Sequence, residues 1–319
     1  MINVLIIGYG YWGPKLARNF SNSSNFNLHS ICDLNSNNLK IAKKNYPNVK
    51  LYSNFKKALK LNKYDLVVIS TPTTTHYKLA KIVLSKGINV LVEKPLCFNL
   101  KEQMNLNKIA KYNKKKLFVD YPFVHAGSVK YVKKLISNNK YGKLISIESY
   151  REQAPIRKDT NVFWDLSIHD ISIFNYLLNN KKINSIKKIY PDKKIKNYKK
   201  ISIFLKYGNT NVFIKNSWNS PTKIRLIKFI FEKATIYLDE NETLYKIKIY
   251  KKLNDQFSNY SLEVPNIDLT EPLMNLINHI YDCINKNKKN LLSEIFYTNI
   301  TKTMVKINNA RWVIMYTCY

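Results

Sequence analysis

The chain has 319 residues, of which 45% are hydrophobic, and carries a formal net charge of +32. This length is enough for two domains with separate cores, and no apolar run reaches the roughly 18 to 20 residues of a membrane-spanning helix. The N-terminus leads directly into an apolar strand pattern, so we expect no signal peptide.

The net charge alone would suggest nucleic-acid binding, but the kind and spread of the basic residues argue against it, and the scattered cysteines favour a reducing cytoplasm. Only five of the 53 basic residues are Arg, the residue best suited to bidentate phosphate recognition, and the lysines are spread over the whole chain. The positive electrostatic field of so many lysines would help to steer an anionic substrate to the protein. The four cysteines have no C-x-x-C spacing, which argues against a disulfide framework or a metal site. They are Cys32, Cys97, Cys283 and Cys318.

A glycine-rich turn follows the first predicted strand, residues 2–7, and precedes a helix that opens with Pro14. Strand, G-x-G-x-x-G turn and helix together predict a dinucleotide site, in which each glycine permits a tight turn or a close approach. The helix N-terminus offers N–H groups to a pyrophosphate. We expect the turn to hold the cofactor through Gly8, Gly10, Tyr11, Trp12 and Gly13.

Asp33 ends the second predicted strand, 20 residues after Gly13. A carboxylate there accepts hydrogen bonds from the ribose hydroxyls and repels a 2′-phosphate, so NAD is favoured over NADP. Asp33 also fits as a cap for the next helix. Further strands alternate with helices up to residue 120, which predicts a doubly wound parallel sheet, a Rossmann domain, over residues 1–120.

The pattern changes after residue 120. A helix at 125–138, a strand at 143–151 and an apolar helix at 162–178 precede six alternating segments between residues 183 and 250. Helices near 271–286 and 291–315 close the chain. We therefore predict a second α+β domain over 121–319 with an open, mainly antiparallel sheet, for substrate binding and oligomerisation.

Several residues that can carry chemistry follow the strands of the first domain, where ligands of open α/β sheets bind. These cofactor-site candidates are Thr71, Pro72, His76, Glu93 and Lys94. Lys94 could donate to a substrate oxygen, but it is also one of 48 lysines and could be an ordinary surface residue. His76 could simply cap or pack at its loop.

Asp165 and His169 lie four residues apart on the apolar helix of the second domain, which predicts that both project from one face. His is the usual general base near neutral pH, and a carboxylate can orient its ring. The alternative is an intrahelical pair with a packing role. Asp170 is expected to point elsewhere.

Four motifs in order resemble the Gfo/Idh/MocA family of NAD(P)-dependent oxidoreductases, the family of glucose–fructose oxidoreductase and inositol dehydrogenase. They are G-Y-G-Y-W-G-P at 8–14, S-T-P-T-T-T-H at 70–76, E-K-P-L at 93–96 and W-D-L-S-I-H-D at 164–170, joined by T-E-P-L at 270–273. The W-D-x-x-x-H-D form, with Arg157 and Asn161 upstream, is most similar to the nucleotide-sugar branch, which acts in bacterial surface-polysaccharide synthesis.

The resemblance implies that Lys94 and His169 flank the reacting carbon and that Asp165 lines the substrate pocket. It also implies a cis bond before Pro95. Relatives carry His-x-Phe where this chain has Tyr121-Pro122-Phe123, so Tyr121 is expected to meet the sugar instead. Arg157 and Asn161 complete the predicted substrate site, and no metal is expected.

We predict an NAD-dependent dehydrogenase that oxidises a secondary hydroxyl, at C3, of a nucleotide-linked sugar. The alternatives are a dehydrogenase of a free polyol or sugar, a reductase of a 3-keto nucleotide sugar, and a non-catalytic NAD-binding or nucleic-acid-binding protein. A homodimer or homotetramer is expected from the resemblance.

Overall fold

The computed structural model describes residues 1–61, 63–189, 199–253 and 259–310. Its strands are β1 (Ile2–Ile7), β2 (Phe26–Cys32), β3 (Lys50–Tyr52), β4 (Leu66–Ile69), β5 (Asn89–Glu93), β6 (Leu117–Asp120), β7 (Leu144–Glu152), β8 (Ile183–Ile189), β9 (Lys200–Tyr207), β10 (Thr210–Ser217), β11 (Ile224–Phe231), β12 (Ala234–Asp239), β13 (Ile247–Lys252) and β14 (Tyr260–Glu263). Its α-helices are α1 (Gly13–Ser21), α2 (Ser36–Asn45), α3 (Phe55–Leu61), α4 (Thr73–Ser85), α5 (Leu100–Tyr112), α6 (Gly127–Ser137), α7 (Ile168–Leu177), α8 (Pro272–Asn285) and α9 (Glu294–Asn309).

The chain divides into two compact units. The first contains Met1–Pro122 and Leu273–Thr301, and the second contains Phe123–Pro272 and the described residues from Lys302 onward. Among the described residues, no helix combines the length and apolar character needed to cross a membrane.

The first unit is built on a parallel sheet with the strand order β3-β2-β1-β4-β5-β6. This is the doubly wound order in which ligands bind beyond the carboxyl ends of the strands, where the order reverses between β1 and β4. The central strands are almost wholly buried because helices cover both faces, which explains their continuous apolar runs. The predicted Rossmann fold is confirmed.

Helix α8 belongs to the first unit, whereas we predicted one continuous second domain over 121–319. Its apolar residues at helical spacing, Leu273, Leu276, Ile277 and Ile280, share one buried cluster with side chains of β1 and α1. Hydrophobic burial therefore returns this part of the chain to the first core. The last part of the helix predicted at 291–315, residues 311–315, and Cys318 lie outside the described residues.

The second unit is built on a sheet with the order β14-β13-β12-β11-β7-β10-β9-β8 in the described part of the chain. All its pairings are antiparallel except the parallel pairing of β7 with β10, so the predicted mainly antiparallel sheet is confirmed. Gly208, at φ +59°, turns the predicted hairpin between β9 and β10. Strand β14 was not predicted. Tyr190, the last residue of the strand predicted at 183–190, lies outside the described residues.

The apolar helix predicted at 162–178 is not one regular α-helix. A π-helical turn occupies Phe163–Ser167, and α7 begins only at Ile168. This turn interrupts the α-helical spacing on which the shared face of Asp165 and His169 depended. The structure therefore corrects that step of the sequence argument.

Candidate active site

The glycine turn after β1 has one open glycine between two crowded ones. A Cβ at Gly8, whose φ is +96°, would lie 2.6 Å from the Ser70 carbonyl oxygen, and a Cβ at Gly13 would collide with the Gly8 carbonyl oxygen. A Cβ at Gly10 would meet nothing within 4 Å. Gly8 and Gly13 thus serve backbone packing, while Gly10 leaves the close approach that a pyrophosphate requires. These residues fit a phosphate cradle for a dinucleotide at the N-terminus of α1.

Asp33 joins the end of β2 to this turn. Its Oδ2 accepts from the Tyr9 N–H at 2.6 Å and from Asn38 Nδ2 at 3.2 Å, and its Oδ1 accepts from the Asn35 N–H at 2.7 Å. The cap of α2 is Asn35, whose side chain accepts from the Asn37 N–H. Asn35, and not Asp33, therefore caps α2, and Asp33 fixes the glycine turn after β1.

His76 lies on α4 and connects two strand ends. Its Nε2 lies 2.7 Å from the Thr71 carbonyl oxygen, beyond β4, and its Nδ1 lies 2.9 Å from the Pro95 carbonyl oxygen, beyond β5. The side chain is only 1% exposed. His76 thus holds the backbone of two neighbouring loops together. Pro72 precedes the first residue of α4.

Lys94 follows the last residue of β5, and its bond to Pro95 is cis, as predicted. The Lys94 N–H donates to Glu93 Oε2 at 3.1 Å. Glu93 is Asp120's partner across the β5–β6 ladder, and Asp120 Oδ2 accepts from Trp12 Nε1 at 3.0 Å. Burial, followed by the nearby Asp120 carboxylate, raises the pKa of Glu93, and burial raises the pKa of Asp120 as well. Lys94 is therefore adjacent to a buried pair of carboxyl groups, those of Glu93 and Asp120.

Asp165 lies in the π-helical turn of the second unit and is 6% exposed. Its Oδ2 accepts from Trp218 Nε1 at 2.9 Å, and its Oδ1 lies 3.5 Å from an Arg157 guanidinium nitrogen. Arg157 also binds both Asp159 carboxylate oxygens, at 3.0 and 2.7 Å. Asn161 caps the helix start, because its Oδ1 accepts from the Trp164 N–H at 3.1 Å.

His169 lies in the first turn of α7 and is partly buried. Its ring meets the Phe123 ring edge to face, with the centroids 5.1 Å apart. The Arg151 guanidinium lies 4.8 Å from the centroid of the same Phe123 ring. Phe123 thus packs between the imidazole and a buried cation within the second unit.

Asp170, next to His169 in the chain, points into a buried polar network, as expected. Its carboxylate accepts from Ser149 Oγ at 2.8 Å, Arg151 Nε at 2.7 Å and Asn216 Nδ2 at 3.0 Å. Arg151 also holds both carboxylate oxygens of Glu240, at 2.8 and 2.7 Å. These carboxylates raise the pKa of Arg151 further above its usual value, against the effect of burial. The network fixes the first turn of α7, which carries His169.

Tyr121 is 2% exposed and packs against the Phe296 and Tyr297 rings within the first unit. Burial raises the pKa of its hydroxyl well above the usual value. These surroundings indicate a packing role, in contrast to the sugar contact expected from the sequence.

The first unit matches a known family model. Residues 2–121 match the model of GFO_IDH_MocA, the oxidoreductase family with an NAD-binding Rossmann fold. The resemblance that the glycine turn and the E-K-P motif indicated is thereby confirmed for this part of the chain.

Curated proteins similar to this chain include the myo-inositol 2-dehydrogenase of Thermotoga maritima. It is 26% identical over 180 residues, which cover 54% of each chain. The glucose-6-phosphate 3-dehydrogenase of Bacillus subtilis is 25% identical over 56% of this chain and 54% of its own. The chain spans about half or less of the length of the curated relatives it matches.

Solved structures with the same fold cover nearly the whole chain. The UDP-N-acetylglucosamine 3-dehydrogenase GnnA from Acidithiobacillus ferrooxidans superposes with a TM-score of 0.82 at 17% identity, over 96% of both chains. At this identity the likeness shows a shared fold. It extends over both units.

Two residues of the candidate site, Asp120 and Arg151, were not predicted from the sequence. Asp120 ends a strand next to that of Glu93, and an acid at a strand end was the available signal. Arg151 is the penultimate residue of β7, and the rarity of arginine in a chain with 48 lysines was a second signal. Neither signal identifies the hydrogen-bonding partners of these residues, because Trp12 and Glu240 are distant from them in the sequence.

Proposed function

We propose that the chain is an NAD-dependent dehydrogenase that oxidises a secondary hydroxyl, at C3, of a nucleotide-linked sugar. The observation that carries this proposal is the open Gly10 turn of a Gfo/Idh/MocA domain combined with Lys94 at the end of β5. The fold shared with a UDP-N-acetylglucosamine 3-dehydrogenase over both units supports the nucleotide-sugar substrate.

The first unit contributes the cofactor site. The open backbone at Gly10 and the N-terminus of α1 would hold the diphosphate of the cofactor, and the Asp33 carboxylate would accept from its ribose hydroxyls. A negative carboxylate at this place favours NAD over NADP. When bound, NAD supplies the hydride acceptor. Thr71 and Pro72 shape the loop beyond β4, and His76 fixes that loop to the turn after Lys94.

The reaction requires a base and a positive group. His169 takes the proton of the substrate hydroxyl as general base, and the Lys94 ammonium stabilises the negative charge that develops on that oxygen. Asp165, which accepts a hydrogen bond from Trp218, binds a sugar hydroxyl. Arg157, near Asp165, contributes positive charge towards the diphosphate of the nucleotide sugar. Asn161 supports this site by capping the helix start. These roles rest on the motif resemblance and on the chemistry of the side chains.

A free polyol is the second candidate substrate. It is favoured by the similarity to the myo-inositol 2-dehydrogenase of Thermotoga maritima. The net charge of +32 favours the anionic nucleotide sugar, because a positive field raises the local concentration of anions. Reduction of a 3-keto nucleotide sugar is the same chemistry in the opposite direction.

The experiment is a substrate panel. Purified protein is incubated with NAD and, separately, UDP-N-acetylglucosamine, its uronic acid and myo-inositol, while NADH absorbance is recorded and products are identified by mass spectrometry. We expect NADH and a 3-keto product from a UDP-sugar. NADH from myo-inositol alone would establish the second candidate, and 3-keto sugar reduction with NADPH alone would overturn the direction and the cofactor.

Matched variants test the two roles. Lys94→Met and His169→Asn should lower kcat by about 100-fold or more, the contribution typical of proton transfer and charge stabilisation, with little change in NAD affinity. The controls are Lys101→Met on α5, an exposed lysine, and His29→Asn on β2. Equal losses in a variant and its control would contradict the role.

We further propose a homo-oligomer that acts in the cytoplasm in surface-polysaccharide synthesis. The open face of the second sheet carries the exposed aromatic residue Phe204 and the neighbouring Phe213, which suits contact with a second copy. Light scattering after size-exclusion chromatography measures the mass, and a monomer at all concentrations would contradict this part.

A further inference from the structure

Glu93 and Asp120 form a buried carboxyl pair at the ends of two adjacent strands. They are direct partners in the β5–β6 ladder, and they are 9% and 1% exposed. Paired residues on neighbouring strands lie about 5 Å apart, and the two carboxyl groups are within hydrogen-bonding reach of each other. Two carboxylates so close and so buried repel each other strongly.

One proton shared between the two carboxyl groups removes their repulsion and gives each unpaired oxygen a hydrogen-bond partner. Glu93 Oε2 accepts from the Lys94 N–H and Asp120 Oδ2 accepts from Trp12 Nε1. Without a proton between them, Glu93 Oε1 and Asp120 Oδ1 find no donor in the part of the chain that the structure describes. A proton on Glu93 Oε1, donated to Asp120 Oδ1, satisfies both buried atoms.

The surrounding charges fit a pair that bears one negative charge. Lys94, next to Glu93, lowers the pKa of both carboxyls, but burial outweighs it and both pKa values stay raised. Tyr297, on α9, also interacts electrostatically with Asp120, and burial raises the pKa of its hydroxyl. Tyr297 thus stays neutral, and Lys94 balances one carboxylate.

The pair connects two parts of the cofactor site. Trp12 is the N-cap residue of α1, and its carbonyl oxygen accepts from the N–H groups of Lys15 and Leu16 at 3.0 and 3.2 Å. Holding the Trp12 indole therefore holds the helix end that would face the pyrophosphate. On the other side, Glu93 holds the backbone of Lys94.

We propose that Asp120 is a positioning residue that shares one proton with Glu93 and holds Trp12, so that the glycine turn and the strand end carrying Lys94 are fixed to each other. The cofactor's identity rests on the proposed function. Loss of the shared proton leaves two facing carboxylates, which push apart and release the indole. Cofactor affinity therefore falls when the pair loses its proton.

The test measures NADH affinity against pH. NADH is the probe because its reduced ring carries no charge, and fluorescence anisotropy gives its dissociation constant from about pH 5 to about pH 10. In the wild type this constant should rise above the pKa of the pair, by up to about tenfold per pH unit, the limit for one proton. In Asp120→Asn the amide accepts from Trp12 and donates to Glu93, so the constant should stay within about twofold over the same range.

Two further variants complete the design. Trp12→Phe keeps a ring but removes the N–H, and should weaken NADH binding by about tenfold at neutral pH, the loss expected for one hydrogen bond to a charged group. Asp282→Asn, on the surface of α8, is the control and should keep the wild-type pH profile. Circular dichroism verifies that each variant is folded.

The outcomes separate this inference from the proposed function. An Asp120→Asn protein that keeps the wild-type pH profile, or that is folded but loses NADH at neutral pH, would overturn the shared proton. If the wild type binds no NADH, the proposed function fails, and the pH dependence of thermal unfolding without cofactor then decides. A pH dependence that Asp120→Asn removes supports the shared proton, and one that it leaves unchanged overturns it.

Discussion

The two units of the chain bury carboxyl groups in opposite ways. In the first unit, Glu93 and Asp120 face each other with one indole N–H and one backbone N–H as their protein donors. In the second unit, Asp170 receives three donors, one of them from the Arg151 guanidinium, which in turn holds Glu240 on both oxygens.

The difference shows what decides whether a buried acid keeps its charge. A buried carboxylate is tolerated when a fixed cation and several N–H or O–H groups replace its hydration, as they do for Asp170. A carboxyl pair that lacks such donors holds a proton instead, which is the case for Glu93 and Asp120. The charged network fixes α7, and the protonated pair lies at the ends of β5 and β6, beside the proposed cofactor site.

The largest expected effect comes from removing the cation of the second unit. Arg151→Met leaves Asp170 and Glu240 as buried carboxylates without their counter-charge, so the free energy of unfolding should fall by about 3 to 5 kcal/mol. Arg157→Met is the control, since that side chain is 32% exposed and its pair should contribute about 1 kcal/mol or less. Urea unfolding measures both. Equal losses would mean that burial does not set the cost.

A smaller effect is expected when one acid of the pair is truncated. Asp120→Ala leaves Trp12 Nε1 and Glu93 without their partner, which should cost about 1 to 3 kcal/mol. Asp120→Asn keeps both hydrogen bonds and should cost clearly less. Urea unfolding followed by hydrogen exchange of the β5 and β6 amides locates the loss in the first unit. An Asn variant as unstable as the Ala variant would contradict the proposed bonding.

The pair also predicts a pH dependence with a definite sign. Because the pKa of Glu93 is raised from 4.5 on folding, the folded state binds more protons than the unfolded state above this pH. Its stabilising contribution is complete below about pH 4.5 and is lost as pH rises through the raised pKa. Glu152 and Glu263, whose pKa values are lowered by lysines, act in the opposite direction.

The measurement is therefore a difference between wild type and Glu93→Gln. Thermal unfolding is recorded over a range of pH for both proteins, and the difference in stability should shrink or reverse as pH rises, because only the wild type loses a proton. A constant difference at every pH would contradict the raised pKa of Glu93.

The smallest effect is expected for one donor to Asp170. Ser149→Ala removes a single hydroxyl from a carboxylate that keeps Arg151 and Asn216, so a loss of about 1 kcal/mol is expected. Urea unfolding measures it beside Arg151→Met. A loss as large as that of Arg151→Met would show that the network depends on the hydroxyl and not on the cation.

Much of the fold could be predicted because its signals are local. The apolar strands, the glycine turn and the alternation of strands with helices predicted the parallel sheet. The cis bond before Pro95 was implied by the family resemblance. The place of α8 was missed because an amphipathic helix does not reveal which core it covers. The π-helical turn at Asp165 was missed because the apolar pattern also fits an α-helix.

The candidate site was predictable only where residue and motif coincide. Lys94 and Gly10 lie where the strand–turn–helix order placed them. The partner of Trp12 is Asp120, 108 residues away, and the bond between them depends on the strand order of the folded sheet. For Tyr121, the neighbouring Phe296 and Tyr297 decide its role, and they come from the far end of the chain.

The most direct test of the contrast between the two units is infrared spectroscopy of the carboxyl groups at neutral pH. Protein labelled with ¹³C at the glutamate carboxyl is compared with the same labelled protein carrying Glu93→Gln. We expect the wild type to show a protonated carboxyl band that shifts on labelling and is lost in the variant. A wild-type spectrum with carboxylate bands alone would contradict the shared proton at Glu93 and Asp120.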